Sequence, residues 1–340
     1  MGWGVRPRFG GLASHAVCTA SAVIFMSAGA AGAAECSSRP DVLGVSRTLE
    51  VRAADGPAGR VSYKKTLDLK DREVVLTFDD GPMARRTPAV LKALAAECVK
   101  ATFFVVGSMA AANPKLLREI ADRGHTIGTH TWSHAYLTRR RSAAIRHEQI
   151  GGAVQAVHAL LTPEQRKRFS PFFRFPGLAR SQALDAFVAR NGLISLSIDI
   201  DSDDWRRISS KEVLRRTIRR LEARGKGIVL MHDIQSRSVK VLPAFLRELK
   251  VRGFRIVHLK GVQGEADKAV AALGNSGSRR MQVAVAKARR MLGDDKPAGP
   301  VLAKAAPAIA KAVEVASVKA LVSSPRTEPE WLGLRLRGSI

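Results

Sequence analysis

Between residues 73 and 260 the chain alternates short, β-rich apolar runs with stretches of helical periodicity, and this repeat limits the fold more than any other feature. Runs at 74–78, 101–106, 125–129, 172–175, 193–200, 227–231 and 254–259 have the length and composition of buried strands. Helix signals lie between them. Pro88 follows Thr87, with Val90, Leu91 and Leu94 at helical spacing; Asn113-Pro114 opens a helix with Leu116, Leu117 and Ile120 on one face, and Gly124 ends it. A long helix is expected over 138–161, loosened by Gly151-Gly152. Others run from Ser181 to Asn191-Gly192, from a capping box at Ser209 and Glu212 to Gly225, and on to Gly253 with Pro243 in the first turn. A strand followed by a helix, repeated, builds a parallel sheet, because only a crossover returns the chain to the same end. Seven such units suit a (β/α) barrel or an open doubly wound sheet, and periodicity does not choose between them.

The two ends read differently. Residues 1–34 have the order of a secretory signal peptide: Arg6 and Arg8, an apolar stretch to Met26, then small residues with Ala31-Gly32-Ala33 as a cleavage site. Export to the periplasm or beyond is therefore expected. Residues 35–72 read as an N-terminal arm. Residues 261–340 are rich in Ala, Lys and Val with scattered Pro and Gly, and read as a disordered or loosely helical basic tail, with a basic amphipathic helix near 281–292. Cys18 leaves with the signal, so Cys36 and Cys98 form either one bridge or two free thiols, and the sequence leaves both open. The 56 Lys and Arg against 30 Asp and Glu give a net charge of +26, which points to a polyanionic neighbour. No helix-turn-helix, zinc-finger or RNA-binding signature accompanies that charge, and no Gly-rich phosphate loop follows the first strand. Specific nucleic-acid binding is thus excluded from the expectations, and contact with an anionic cell envelope is retained. Nothing in the sequence sets an oligomeric state.

The chemistry-bearing residues fall just after strands. Asp79 and Asp80 follow the first, His130 and His134 the third, Arg174 ends the fourth, Asp201, Asp204 and Trp205 follow the fifth, and His232 and Asp233 follow the sixth. In a parallel α/β fold all strand C-termini face one way, so these groups converge on one rim. Taken singly, each has a structural explanation: an acid in a turn, a core histidine, an ion-pair arginine. Their convergence favours a metal hydrolase. Two His four residues apart plus a carboxylate can bind one ion and leave a position open for water. A second Asp can take a proton from that water, and a His can protonate a leaving group. No His-Glu-x-x-His occurs, so a zincin-type protease is not indicated.

The segments Thr77-Phe-Asp-Asp-Gly-Pro82, His130-Thr-Trp-Ser-His134, Arg174-Phe-Pro176, Asp201-Ser-Asp-Asp-Trp205 and Leu230-Met-His232 resemble, in order, the motif set of the NodB-type polysaccharide deacetylases. The resemblance spans about residues 73–260. It implies a distorted seven-stranded (β/α) barrel and a metal-dependent deacetylase acting on acetylated polysaccharides or oligosaccharides. Position by position, it implies Asp79 as general base and His232 as general acid. Asp80, His130 and His134 would hold one divalent ion, zinc in most of the family, with cobalt or another divalent ion as alternatives. Arg174 would orient Asp79, Asp204 would tune His232, and Trp205, Leu230 and Pro176 would line the substrate groove. Two positions depart from the pattern: Gly177 stands where an aromatic residue is usual, which leaves part of the groove open, and Ala135 stands in place of a proline. Two other readings remain: an O-acetyl esterase using the same site, and a non-enzymatic basic protein that binds envelope polymer.

Overall fold

The computed structural model describes residues 1–4, 36, 39–138 and 142–294. Nearly all of the expected signal peptide, and the expected tail from 295 to 340, lie outside the described residues. Among those described, the strands are β1 (Arg47–Val51), β2 (Glu73–Asp79), β3 (Thr102–Val105), β4 (Thr126–Thr129), β5 (Phe169–Phe173), β6 (Ile194–Ser195), β7 (Ile200–Asp201), β8 (Gly227–His232) and β9 (Arg255–Gly261). The helices are α1 (Thr87–Ala96), α2 (Gly107–Ala112), α3 (Pro114–Asp122), α4 (Ala143–Leu160), α5 (Pro163–Arg166), α6 (Gln182–Arg190), α7 (Ser210–Arg224), α8 (Ser236–Val251), α9 (Glu265–Leu273) and α10 (Arg279–Met291).

Every strand pairing is parallel. From β2 the sheet runs one way through β3, β4, β5 and β6, and the other way through β8 to β7. These seven strands curl into a half-barrel covered by helices. β9 meets β2 only at Glu73 and Val74, then carries β1 on its far edge.

Alternation along each strand divides the core into two layers. Val74, Leu76 and Phe78 face outward against α1, α3 and α8, whereas Val75, Phe104, Phe172, Ile194 and Ile228 fill the interior. Val257 and Leu259 of β9 join the interior layer, as do Leu67 and Leu69. Part of the stretch expected as an arm therefore belongs to the body. Cys36 and Cys98 are bridged, with 5.7 Å between their Cα atoms, which settles the open pairing.

Several expected elements differ from those observed. The strand expected over 193–200 is split into β6 and β7, because the arm bonds to the backbone between them: Ser197 N donates to Ala58 O (2.8 Å) and Val61 N to Ile198 O (3.0 Å). The helix expected from 138 starts at Ala143, where Ser142 Oγ caps it by accepting from Ile145 N (3.2 Å). Pro243 sits inside α8 rather than in its first turn.

The break expected at 261 is also corrected for residues 265–291, which form α9 and α10 and pack on the body. Met281, Val285 and Ala288 are buried, and so are Ala269 and Leu273. Gly151-Gly152 does not loosen α4; it lets these helices approach. A Cβ at Gly152 would lie 2.6 Å from the Met281 sulfur, and one at Gly151 would meet Ser276 and Leu273. No helix among the described residues is long and apolar enough to cross a membrane.

Candidate active site

The interior-facing register of the strands decides which polar groups meet. On parallel β2 and β8, Thr77 pairs with Leu230 and Asp79 with His232. Asp79 also pairs with Phe104 on β3, and Phe104 with Gly128 on β4. Residue 130 continues the inward row of 126 and 128, and 174 continues that of 172. Asp79, His130, Arg174 and His232 thus reach the open end of the half-barrel because each stands an even number of residues from an inward-facing residue of its own strand.

Arg174 is fully buried. Its Nη1 donates to Asp79 Oδ1 (2.7 Å) and Thr77 Oγ1 (2.8 Å), Nε to the Leu196 carbonyl (2.9 Å) and Nη2 to the Ser197 carbonyl (3.1 Å). The guanidinium lies over the Phe104 ring, 4.0 Å from its centroid. Burial pushes the Asp79 carboxyl up to about 6, against the pull of Arg174.

Asp80, His130 and His134 form the cluster expected to hold a metal. One ligand atom from each lies within 4.8 Å of the others. His130 Nε2 is 3.5 Å and His134 Nε2 3.2 Å from Asp80 Oδ1, an oxygen that is buried yet accepts no hydrogen bond. His130 Nδ1 donates to the Arg174 carbonyl (2.8 Å), which leaves Nε2 with its lone pair toward Asp80. Burial lowers the pKa of both histidines, which favours the neutral form a cation needs. These residues fit a divalent ion with two His and one carboxylate. The backbone is strained at the cluster: Asp80 has φ +81, Thr131 +62 and His134 +56. Gly81 is required beside Asp80, since a Cβ there would collide with the buried Asp233 carboxylate.

Across the rim, His232 Nδ1 donates to Asp204 Oδ1 (2.7 Å), and His232 N donates to Asp204 Oδ2 (2.7 Å). Ser238 Oγ on α8 donates to the same Oδ2. Burial alone would lower the His232 pKa; the Asp204 carboxylate outweighs it and holds the imidazolium up to about 10. Burial would likewise raise Asp204, yet the charge of His232 keeps it below the usual carboxylate range.

Of the expected groove residues, Leu230 is buried beneath His232 on β8, and Pro176 is buried in the turn after β5. Trp205 is 39% exposed, with Nε1 donating to Asp201 Oδ2 (3.2 Å) and the Arg206 guanidinium 4.6 Å from its ring. Four further residues support these groups: Asp233 stood at a strand end and Thr77 in the first motif of the sequence, whereas Ser238 and Tyr136 carried no signal there. Thr77 braces Arg174, Ser238 caps Asp204, and Tyr136 contacts His134. Asp233 accepts from Thr87 Oγ1 (2.5 Å) and is pushed by burial up to about 7. The partner of each is far away in the chain or around a bend, so the pairing itself is not visible in local pattern.

A profile of the family described as polysaccharide deacetylase matches residues 66–194. A peptidoglycan-N-acetylglucosamine deacetylase of Listeria monocytogenes is 32% identical over 179 residues, 52% of this chain and 35% of that protein. A chitooligosaccharide deacetylase of Bradyrhizobium is 34% identical over 162 residues, 48% of this chain and 71% of that protein. Among solved structures, a peptidoglycan deacetylase from Bdellovibrio bacteriovorus aligns with a TM-score of 0.56 at 35% identity, covering 65% of this chain and 60% of that one. The chain thus spans about a third of the Listeria relative and most of the Bradyrhizobium one. With these matches, the chain belongs to the polysaccharide deacetylase family.

Proposed function

We propose that the protein is an exported, metal-dependent hydrolase that removes acetyl groups from N-acetylated amino-sugar polymers or oligomers such as peptidoglycan or chitooligosaccharide. One observation carries the reading. A buried, unbonded Asp80 oxygen faces the Nε2 atoms of two histidines, with an Arg-held carboxylate on one side and a carboxylate-held histidine on the other.

A divalent ion, zinc by analogy with the family, bound by Asp80, His130 and His134 would polarise the acetyl carbonyl and acidify a water. Asp79 is the group placed to take the proton of the attacking water. Its Oδ1 is held by Arg174, while Oδ2 lies 3.8 Å from His130 Nε2, on the cluster side. His232 gives a proton to the departing nitrogen through the ring nitrogen not bonded to Asp204. Trp205, Leu230 and Pro176 form the groove wall. The Cys36–Cys98 bridge supports export, since such bridges persist in oxidising compartments. The high positive charge suits contact with an anionic envelope.

The test is acetate release by metal-loaded protein from acetylated chitooligosaccharides, peptidoglycan and acetylxylan, with metal content measured alongside. Asp79→Asn should keep the metal and lose about 10²–10⁴-fold in rate, and His134→Ala should lose both metal and rate. Release from acetylxylan alone would shift the reading to an O-acetyl esterase. Absence of metal and of turnover, with salt-sensitive polymer binding, would replace the enzyme with a binding protein.

A further inference from the structure

Tyr136 lies in the loop after β4, two residues beyond His134. Its half-buried ring stands edge-on to the His134 imidazole, with centroids 5.9 Å apart and planes at 87°. The ring also lies against Gly177, in the turn after β5. Gly177 has φ +59, and a Cβ built there would lie 2.5 Å from Tyr136 Cε1 and Oη and 2.7 Å from Cζ. Any side chain at 177 would displace the ring. Loops from two adjacent strands therefore meet to place one aromatic ring beside an expected metal ligand. The groove expected to be open at Gly177 is occupied here by Tyr136.

The ring is only half-buried, although Leu137 beside it in the loop belongs to the core. A partly exposed aromatic ring at the edge of a polar cleft offers a flat apolar surface with a polar tip, which suits the C–H face of a pyranose and its hydroxyls. We propose that Tyr136 is a substrate contact: the pyranose bearing the acetamide rests on its ring, and Gly177 is glycine to admit it. The proposal rests on the deacetylase reading and adds that Tyr136 selects acetyl groups carried on a sugar ring over small acyl compounds.

The test compares kcat/KM for N-acetylchitotetraose with that for p-nitrophenyl acetate, which has no pyranose, using zinc-loaded full chain. Tyr136→Ala should lower the ratio of the two about five- to tenfold, chiefly through KM for the sugar, with zinc content unchanged. Tyr136→Leu, which fills the space without an aromatic face, should behave like Tyr136→Ala, and Tyr136→Phe should recover most of the ratio. Gly177→Ala should lower the ratio in the parent and add nothing on top of Tyr136→Ala. A parental ratio in Tyr136→Ala, or a parallel fall for both substrates with loss of zinc, overturns the proposal and leaves the deacetylase reading standing. A zinc-loaded parent inactive on both substrates and on peptidoglycan overturns the two together.

Discussion

Arg174 joins three otherwise separate parts of the site. One guanidinium holds Asp79, satisfies two carbonyls of the segment between β6 and β7, and lies on Phe104. Replacing it with Met would leave a buried carboxylate without its partner, a loss of about 3–5 kcal/mol. Arg174→Met should therefore lower stability by that order in denaturant unfolding and abolish acetate release. Parental values in both would remove Arg174 from this account. The pH dependence also belongs to single residues. Asp79 must be ionised to accept a proton, so rate should fall as pH drops through its pKa, about 6 with no cation beside it. His232 must be protonated to donate, so rate should fall as pH rises through about 10. A cation at Asp80, His130 and His134 adds positive charge near both and moves both limbs to lower pH. Asp204→Asn removes the charge that raises His232, so the alkaline limb of a kcat/KM profile should move further down. An unmoved limb would separate Asp204 from the acid.

At the scale of elements, the first and last parts of the sheet are joined by charge as well as by strand pairing. Arg47 on β1 donates to both oxygens of Glu73 at the start of β2 (2.8 and 2.7 Å), and Lys70 N donates to the same carboxylate (2.7 Å). These bonds lower the Glu73 pKa to about 2. A carboxylate with a depressed folded pKa adds stability above its unfolded value, near 4.5, and that stability is lost as pH falls toward 2. Glu73→Gln should cost on the order of 2 kcal/mol near neutrality, discounted for the partial exposure of Arg47, and flatten the acid arm of stability against pH. Equal acid sensitivity in the variant would place that arm elsewhere. The uninterrupted apolar runs of β2, β3 and β8 were legible in the sequence, because burial on both faces leaves no room for polar alternation. The break between β6 and β7 was not, since residues 58–61 cause it from over 130 positions away. Gly151-Gly152 was visible, but its meaning was not: a small pair inside a helix reads as weakness until a second helix is seen against it.

For the whole molecule, the body extends through α10. Arg118 on α3 pairs with Asp294, and His147 Nε2 donates to the Leu273 carbonyl (2.9 Å). Ending the chain after Lys260 would uncover α4 where Met281, Val285 and Leu273 now cover it. That form should unfold at lower temperature and be cleaved faster by protease than one ending after Asp294. Equal stability of the two would return α9 and α10 to the role of an appendage. The parallel α/β order and the polar residues of the rim could be read from the chain alone, because strand periodicity and strand-end position are local properties. The Cys36–Cys98 bridge, the interior role of residues 47–69, the packing of α9 and α10, and the meeting of Tyr136 with Gly177 emerge only when the chain is folded. Each of these is a contact between distant segments whose geometry depends on strand register and on the curl of the sheet, and neither is written in any one stretch of residues.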